Sequence, residues 1–157
     1  MKYLYIWIFL IVIVGGVWYT LERNNISLQD VIFGDVTTIA IGGVRFQVEI
    51  ADTPEKQRQG LSGRDELGNT AGLLFVFPES NRHGIWMKDM NFPIDVIWIS
   101  EDLRVVDITY NLTPESYPHT FTPDEDARYA LETNVDFARA YDIHVGDTVS
   151  LPRRLRP

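Results

Sequence analysis

Between Trp86 and Asp95 the chain gathers side chains suited to chemistry: Trp86, Lys88, Asp89, Asn91 and Asp95, with Phe92-Pro93 among them. Two carboxylates and an ammonium this close in sequence can hold a charged ligand, or move protons as general acid and base. Pro93 disfavours the helical region at Phe92, so the corner is extended. Ile94-Asp95-Val96-Ile97-Trp98-Ile99 follows, rich in β-branched and aromatic residues, and reads as a buried strand. Burying an unpaired carboxylate costs roughly several kcal/mol, so Asp95 needs a partner or the wet end of that strand.

The elements that must position this corner are short. Val36–Ile41, Gly42-Gly43 and Val44–Ala51 read as a β-hairpin, the glycines supplying the positive φ of a tight turn. Val44, Phe46, Val48 and Ile50 alternate with Arg45, Gln47 and Glu49, the period of a strand with one wet face. Asp52-Thr53-Pro54-Glu55 starts a helix with a capping side chain, a first-turn Pro and an acid at the positive end of the dipole. That helix ends at Gly60, and its body, Lys56 to Gln59, is polar all round. Ser62-Gly63-Arg64-Asp65 has capping-box spacing and predicts a further short turn. Leu73–Phe77 is a buried strand, Pro78–Gly84 a loop, and Arg104–Asn111 a strand beside the central one. The proline-bearing, acidic stretch from Asn111 to Asp126 is the longest irregular segment. Tyr129–Glu132 is a strand, Val135–Tyr141 a helix with Val135, Ala138 and Tyr141 inward, and Val149 begins a last strand. This predicts a mainly β (α+β) domain, a small β-sandwich or partly open β-barrel with two or three short helices.

Composition narrows the function. The formal net charge of −8 argues against a nucleic-acid partner. With no cysteine there are no disulfides, thiolate catalysis or cysteine–zinc sites. The histidines, at 83, 119 and 144, form no His-x-x-x-His pair. Asp124-Glu125-Asp126 offers oxygen ligands to a hard cation, but lacks EF-hand spacing and reads as a solvated run. No metal and no cofactor is expected.

Tyr3 to Leu21 is uncharged and almost wholly apolar. As a helix it spans about 28 Å, close to the ~30 Å hydrocarbon core. Tyr3, Tyr5 and Trp7 at one end and Trp18-Tyr19 at the other resemble an aromatic belt. Val14-Gly15-Gly16 would suit signal-peptide cleavage, but Val17-Trp18-Tyr19 resumes the apolar run. The expectation is an uncleaved transmembrane helix in residues 1–21, a spacer in 22–35 and one mainly β domain in 36–157. Lys2 and the terminal amine place the amino terminus inside and the domain outside the cytoplasm. The membrane, through residues 3–21, is thus an expected partner.

Gly60-Leu61-Ser62-Gly63-Arg64, Gly72-Leu73-Leu74-Phe75-Val76-Phe77, Trp86-Met87-Lys88-Asp89 with Pro93-Ile94-Asp95, Ala130-Leu131-Glu132-Thr133-Asn134, and Gly146-Asp147-Thr148-Val149 follow one another along the chain. This ordered set resembles the domain of unknown function 192 family, over roughly Val44 to Leu151. The resemblance implies a small, mainly β domain, frequently behind a signal or anchor, and no established activity. Family members often carry Ala-Gly after the Leu-Glu-x-Asn run, where this chain has Val135-Asp136. If that glycine serves a positive φ, the turn into the last helix differs here.

The polar residues within these motifs are Arg64, Lys88, Asp89, Asp95 and Glu132. With Trp86 they form the candidate ligand-binding set. The bland reading is structural: Asp95 pairs with Lys88 or Arg64, and Glu132 accepts backbone hydrogens at a strand end. Trp98 is read as core, His83 as exposed, and Arg58 as a solvated cation able to reach an anionic ligand. No nucleophile–base–orienter set is complete, which favours binding over catalysis. The leading expectation is a membrane-anchored, extracytoplasmic binding module for an envelope polymer, small ligand or protein partner. The alternative is an acid–base enzyme on envelope saccharides, using a pair from Asp89, Asp95 and Glu132, with Lys88 or Arg64 steadying negative charge.

Overall fold

Residues 36–67 and 72–156 are described by the structure, a computed structural model. The anchor expected at 3–21 and the spacer at 22–35 lie outside the described residues. Among the described residues no helix is long and apolar enough to cross a membrane.

The Gly-Gly hairpin forms as its sequence predicts. Strands β1 (Val36–Ile41) and β2 (Val44–Ala51) pair antiparallel, with Gly42 and Gly43 at φ of 57° and 88°. Such angles match the strand twist and favour glycine. Helix α1 (Pro54–Gln59) also forms as expected: the Thr53 side chain accepts the Lys56 N–H, Pro54 opens the first turn, and Gly60 ends the helix at φ 50°. The helix is the crossover that lets β3 (Gly72–Asn81) lie parallel to β2, a pairing no tight turn can make. β3 runs past the predicted Phe77 into Pro78–Asn81, where its register with β8 (Ala127–Asn134) shifts. Proline can stay in the strand there because the ladder is already interrupted.

β5 (Ile94–Ile99) lies between β6 (Val105–Leu112) and β8 and is buried throughout. Its residues alternate between two apolar clusters. Ile97 and Ile99 join Leu74, Leu131 and the C-terminal residues Val149, Leu151 and Leu155 on one side. Ile94, Val96 and Trp98 join Leu73, Phe75, Leu61 and Met87 on the other. The strand order is β6-β5-β8-β3-β2-β1-β9, with β9 being Val149–Ser150. The two sheet edges meet: Arg104 bridges Thr148, and the Val105 N–H donates to the Asp147 carbonyl. The architecture is therefore a curled half-barrel, the open-barrel expectation rather than the sandwich. A two-stranded ribbon, β4 (Ile85–Trp86) with β7 (Thr120–Phe121), completes the β structure among the described residues.

The last helix is shorter than its pattern suggested. α2 covers Phe137–Ala140, with Ala138 buried as predicted and Tyr141 largely exposed although its ring packs on Phe46 and Phe137. At the departure from the family pattern, Asp136 takes φ 66° and ψ 6°. The left-handed turn is thus kept without glycine, because a short polar side chain tolerates that region better than most.

Candidate functional site

A cleft of about 230 Å³ opens between α1 with the turn after it and strands β3, β4 and β8. Its polar edge is α1. Gln57 is committed to structure, its amide donating to the Ala51 and Val76 carbonyls at 3.2 and 2.8 Å, which fastens the helix across β2 and β3. Arg58 lines the cleft with no ion pair or hydrogen bond to any described residue. Phe75, Phe77, Ile85 and Met90 form apolar wall, and Trp86, 48 % exposed, stands at the rim edge-on to Tyr117.

Glu132 is the cleft's acid. β8 places it opposite Leu73 on β3 and Val96 on β5, so its side chain shares the apolar face of those residues. Its Oε2 is buried and makes no hydrogen bond. Burial raises the carboxyl to about 8, against the opposing attraction of Arg64. The reading of Glu132 as an acceptor of backbone hydrogens thus fails for this oxygen. The turn at Gly60 packs beside it: a Cβ there would stand at ordinary contact distance, 3.5 Å from the Phe75 ring and 3.9 Å from Oε2.

Arg64 reaches Glu132 only through its field. Its guanidinium makes a bidentate pair with Glu49 at 2.8 and 2.9 Å. That hydrogen bond is the main reason its pKa is raised, with the charges of Glu49 and Glu132 adding. The corner carrying Lys88 and Asp89 is tied to the turn after α1 by backbone groups. Ser62 donates to the Lys88 carbonyl (2.8 Å), the Gly63 N–H to the Asp89 carbonyl (2.7 Å), and Asn91 to the Arg64 carbonyl (3.0 Å). Lys88 and Asp89 border an adjoining hollow of about 480 Å³ that shares Arg58, Gln59 and Ser62 with the cleft.

Asp95 does not join them. It pairs across the sheet with Thr133, one residue out of phase with Glu132, so the two carboxyls leave opposite faces. Asp95 is fully buried; its Oδ1 accepts the Asn111 N–H at 2.8 Å and Oδ2 has no partner. Its partner is thus a backbone amide, not Lys88 or Arg64, and it holds Asn111 in the left-handed region (φ 53°). The sequence set therefore divides: Trp86 and Glu132 in the cleft, Lys88 and Asp89 beside it, Arg64 behind Glu132, and Asp95 across the sheet. Sequence reasoning passed over Phe75, Phe77 and Met90, whose apolar character signals only core. It set Arg58 aside as solvated, and read His83 as exposed, whereas His83 is half-buried and stacked on Phe77 at 3.8 Å. Among the described residues no cluster of His, Asp or Glu is placed to hold a metal.

Comparison with known proteins agrees with this frame. A family model, DUF192, described as "Uncharacterized ACR, COG1430", matches residues 37–151. A UPF0127 protein of Thermococcus gammatolerans is 38% identical over 105 residues, 66% of this chain and 65% of its own length. UPF0127 protein TK1120 of Thermococcus kodakarensis is 33% identical over 106 residues, covering 66% of this chain and 64% of that protein. The chain thus spans slightly less than two thirds of both relatives. Among solved structures, a protein of unknown function from Novosphingobium aromaticivorans superposes with a TM-score of 0.68 at 28% identity, over 74% of this chain and 85% of that one. A Sinorhizobium meliloti protein named as a candidate transcription regulator gives a TM-score of 0.67 at 27% identity, over 72% and 91%.

Proposed function

We propose, from the premise that the chain belongs to the DUF192 (UPF0127) family, that its domain is a binding module whose ligand seats in the cleft beside α1. The observation that carries this reading is the unpartnered, buried Oε2 of Glu132 in an apolar-walled cleft. A buried polar atom left unsatisfied costs about 1–3 kcal/mol, and a ligand that bonds it recovers that energy. Polar groups converging opposite an apolar wall, here Arg58 and Glu132 with Phe75, Phe77, Ile85 and Met90, suit a small-molecule site. The apolar segment at 3–21 supports a tether at the membrane with the module outside the cytoplasm, where an envelope polymer, small ligand or protein segment would be the guest.

Fragment screening by ligand-observed NMR on the full chain in nanodiscs tests the cleft. Hits should cluster on it and be lost in Trp86→Ala and in Gln59→Trp, which fills the mouth from an exposed position, while far-UV circular dichroism is unchanged. A screen with no hit sensitive to either change defeats the reading.

Glu132 also favours a second reading, because a carboxyl held to about 8 suits a general acid. That enzyme would have Asp89 of the adjoining hollow as its remaining carboxylate, since Asp95 faces away. Turnover of cell-wall saccharide fragments that vanishes in Glu132→Gln with the fold intact is its signature.

A further inference from the structure

We propose that the cleft is built for a ligand carboxylate, received between the carboxyl of Glu132 and the guanidinium of Arg58, with an apolar or ring body against Phe75, Phe77 and Trp86. This rests on the binding reading above and names its ligand class.

Size comes first. A cleft of about 230 Å³ would hold about eight waters, or a guest of roughly ten non-hydrogen atoms. The walls ask for an apolar body of ring size, which leaves room for one small polar head.

The sign of that head follows from the charges around it. Arg58 on α1 lines the same cleft as Glu132, Arg64 after it acts on Glu132 through its charge, and Glu49 on β2 is bound to Arg64. β3 and β5 bring only Leu73 and Val96 to its sides. An ammonium head would need Glu132 ionised and would meet Arg58. A carboxylate meets a guanidinium with no partner among the described residues and, on Glu132, an acid that keeps its proton near pH 7 and can donate it. The Glu132 carboxyl, which lines the cleft and has no partner at Oε2, is where that hydrogen bond is made. Gln57 cannot substitute, because both its donors are held by Ala51 and Val76.

Three probes share one body and differ in the head: phenylacetate, phenylacetamide and 2-phenylethylamine. Calorimetry on the full chain in nanodiscs should show phenylacetate tightest and the amine at least tenfold weaker. Arg58→Ala should weaken phenylacetate at least tenfold and phenylacetamide much less. Between pH 6.5 and pH 9 phenylacetate affinity should drop about tenfold, as Glu132 loses its proton through about 8. In Glu132→Gln, whose amide still donates, binding should persist and the drop should disappear. Equal or tighter amine binding, a flat pH profile in the parent protein, or equal loss of acid and amide in Arg58→Ala would each overturn the assignment. If fragments seat in the cleft but none of these probes does, the carboxylate assignment falls while the binding reading stands; if nothing seats there, both fall.

Discussion

Arg64 is the guanidinium whose field acts on Glu132, but it is bonded to Glu49, so the buried acid keeps its proton well above the ordinary carboxylate range. The consequence for stability has a definite sign. Folded Glu132 titrates near 8 and its unfolded form near 4.5, so between those values the folded state binds the extra proton. Stability from this group is therefore full below about 4.5, declines as pH rises toward 8, and is flat beyond. Glu132→Gln removes the decline. The difference in unfolding free energy between variant and parent should move in the variant's favour by on the order of 4 kcal/mol from pH 4 to pH 9, read by urea titration. Parallel curves would show that water or an unseen partner satisfies the carboxyl. Asp136 carries a second test at this scale. Its left-handed backbone predicts that Asp136→Ala costs about 1 kcal/mol, whereas Asp136→Gly stays within about 0.5 kcal/mol of the parent.

At the scale of elements, the cleft depends on how closely β3 lies against β8. A Cβ on Gly72 would sit 2.1 Å from the Glu132 carbonyl oxygen, so Gly72→Ala must pry the two strands apart. The expected loss is about 3 kcal/mol or more, with Glu132 displaced as well, measurable as a lower denaturation midpoint together with lost fragment binding. α1 is fastened differently, with the Gln57 side chain as its hydrogen-bonded link to the carbonyls of β2 and β3. Gln57→Leu removes both bonds to the strand carbonyls, and should speed amide exchange in α1 while leaving β5 protected. Much of this was legible in sequence. Thr53-Pro54 and Gly60 mark the helix ends by local chemistry, and the Ile94–Ile99 run marks a strand buried on both faces. What was not legible depends on register. Asp95 and Glu132 look like partners until the pairing of Asp95 with Thr133 sets them on opposite faces. The walls of the cleft share their residue types with the core, and only the fold tells which of them line a space.

Over the whole domain, the half-barrel is closed by short links rather than long ones. Arg104 bridges Thr148, and Tyr129 anchors the C-terminal turn (Arg153–Leu155) by donating to the Leu155 carbonyl at 2.9 Å. Tyr129 is fully buried, so Tyr129→Phe leaves that carbonyl without its partner and should cost about 1–2 kcal/mol, seen in thermal unfolding. The mainly β frame, the β1–β2 hairpin, the β5–β6 pairing and the small helices follow from patterns a reader can find in the chain; the rest of the strand order does not. The curl does not, because it rests on a few backbone links between the two edges, made where turns run into β6 and β9.

The stitching of the turn after α1 to the corner at 88–91 has a bearing on how such a domain diversifies. Ser62 and Gly63 grip Lys88 and Asp89 by their carbonyls, and so the architecture does not consult what those two positions display. Position 89 asks only for a residue at ease with a φ of 55°. New preferences can therefore be written onto the hollow beside the cleft by exchanging side chains there, while the scaffold that presents them is inherited unchanged.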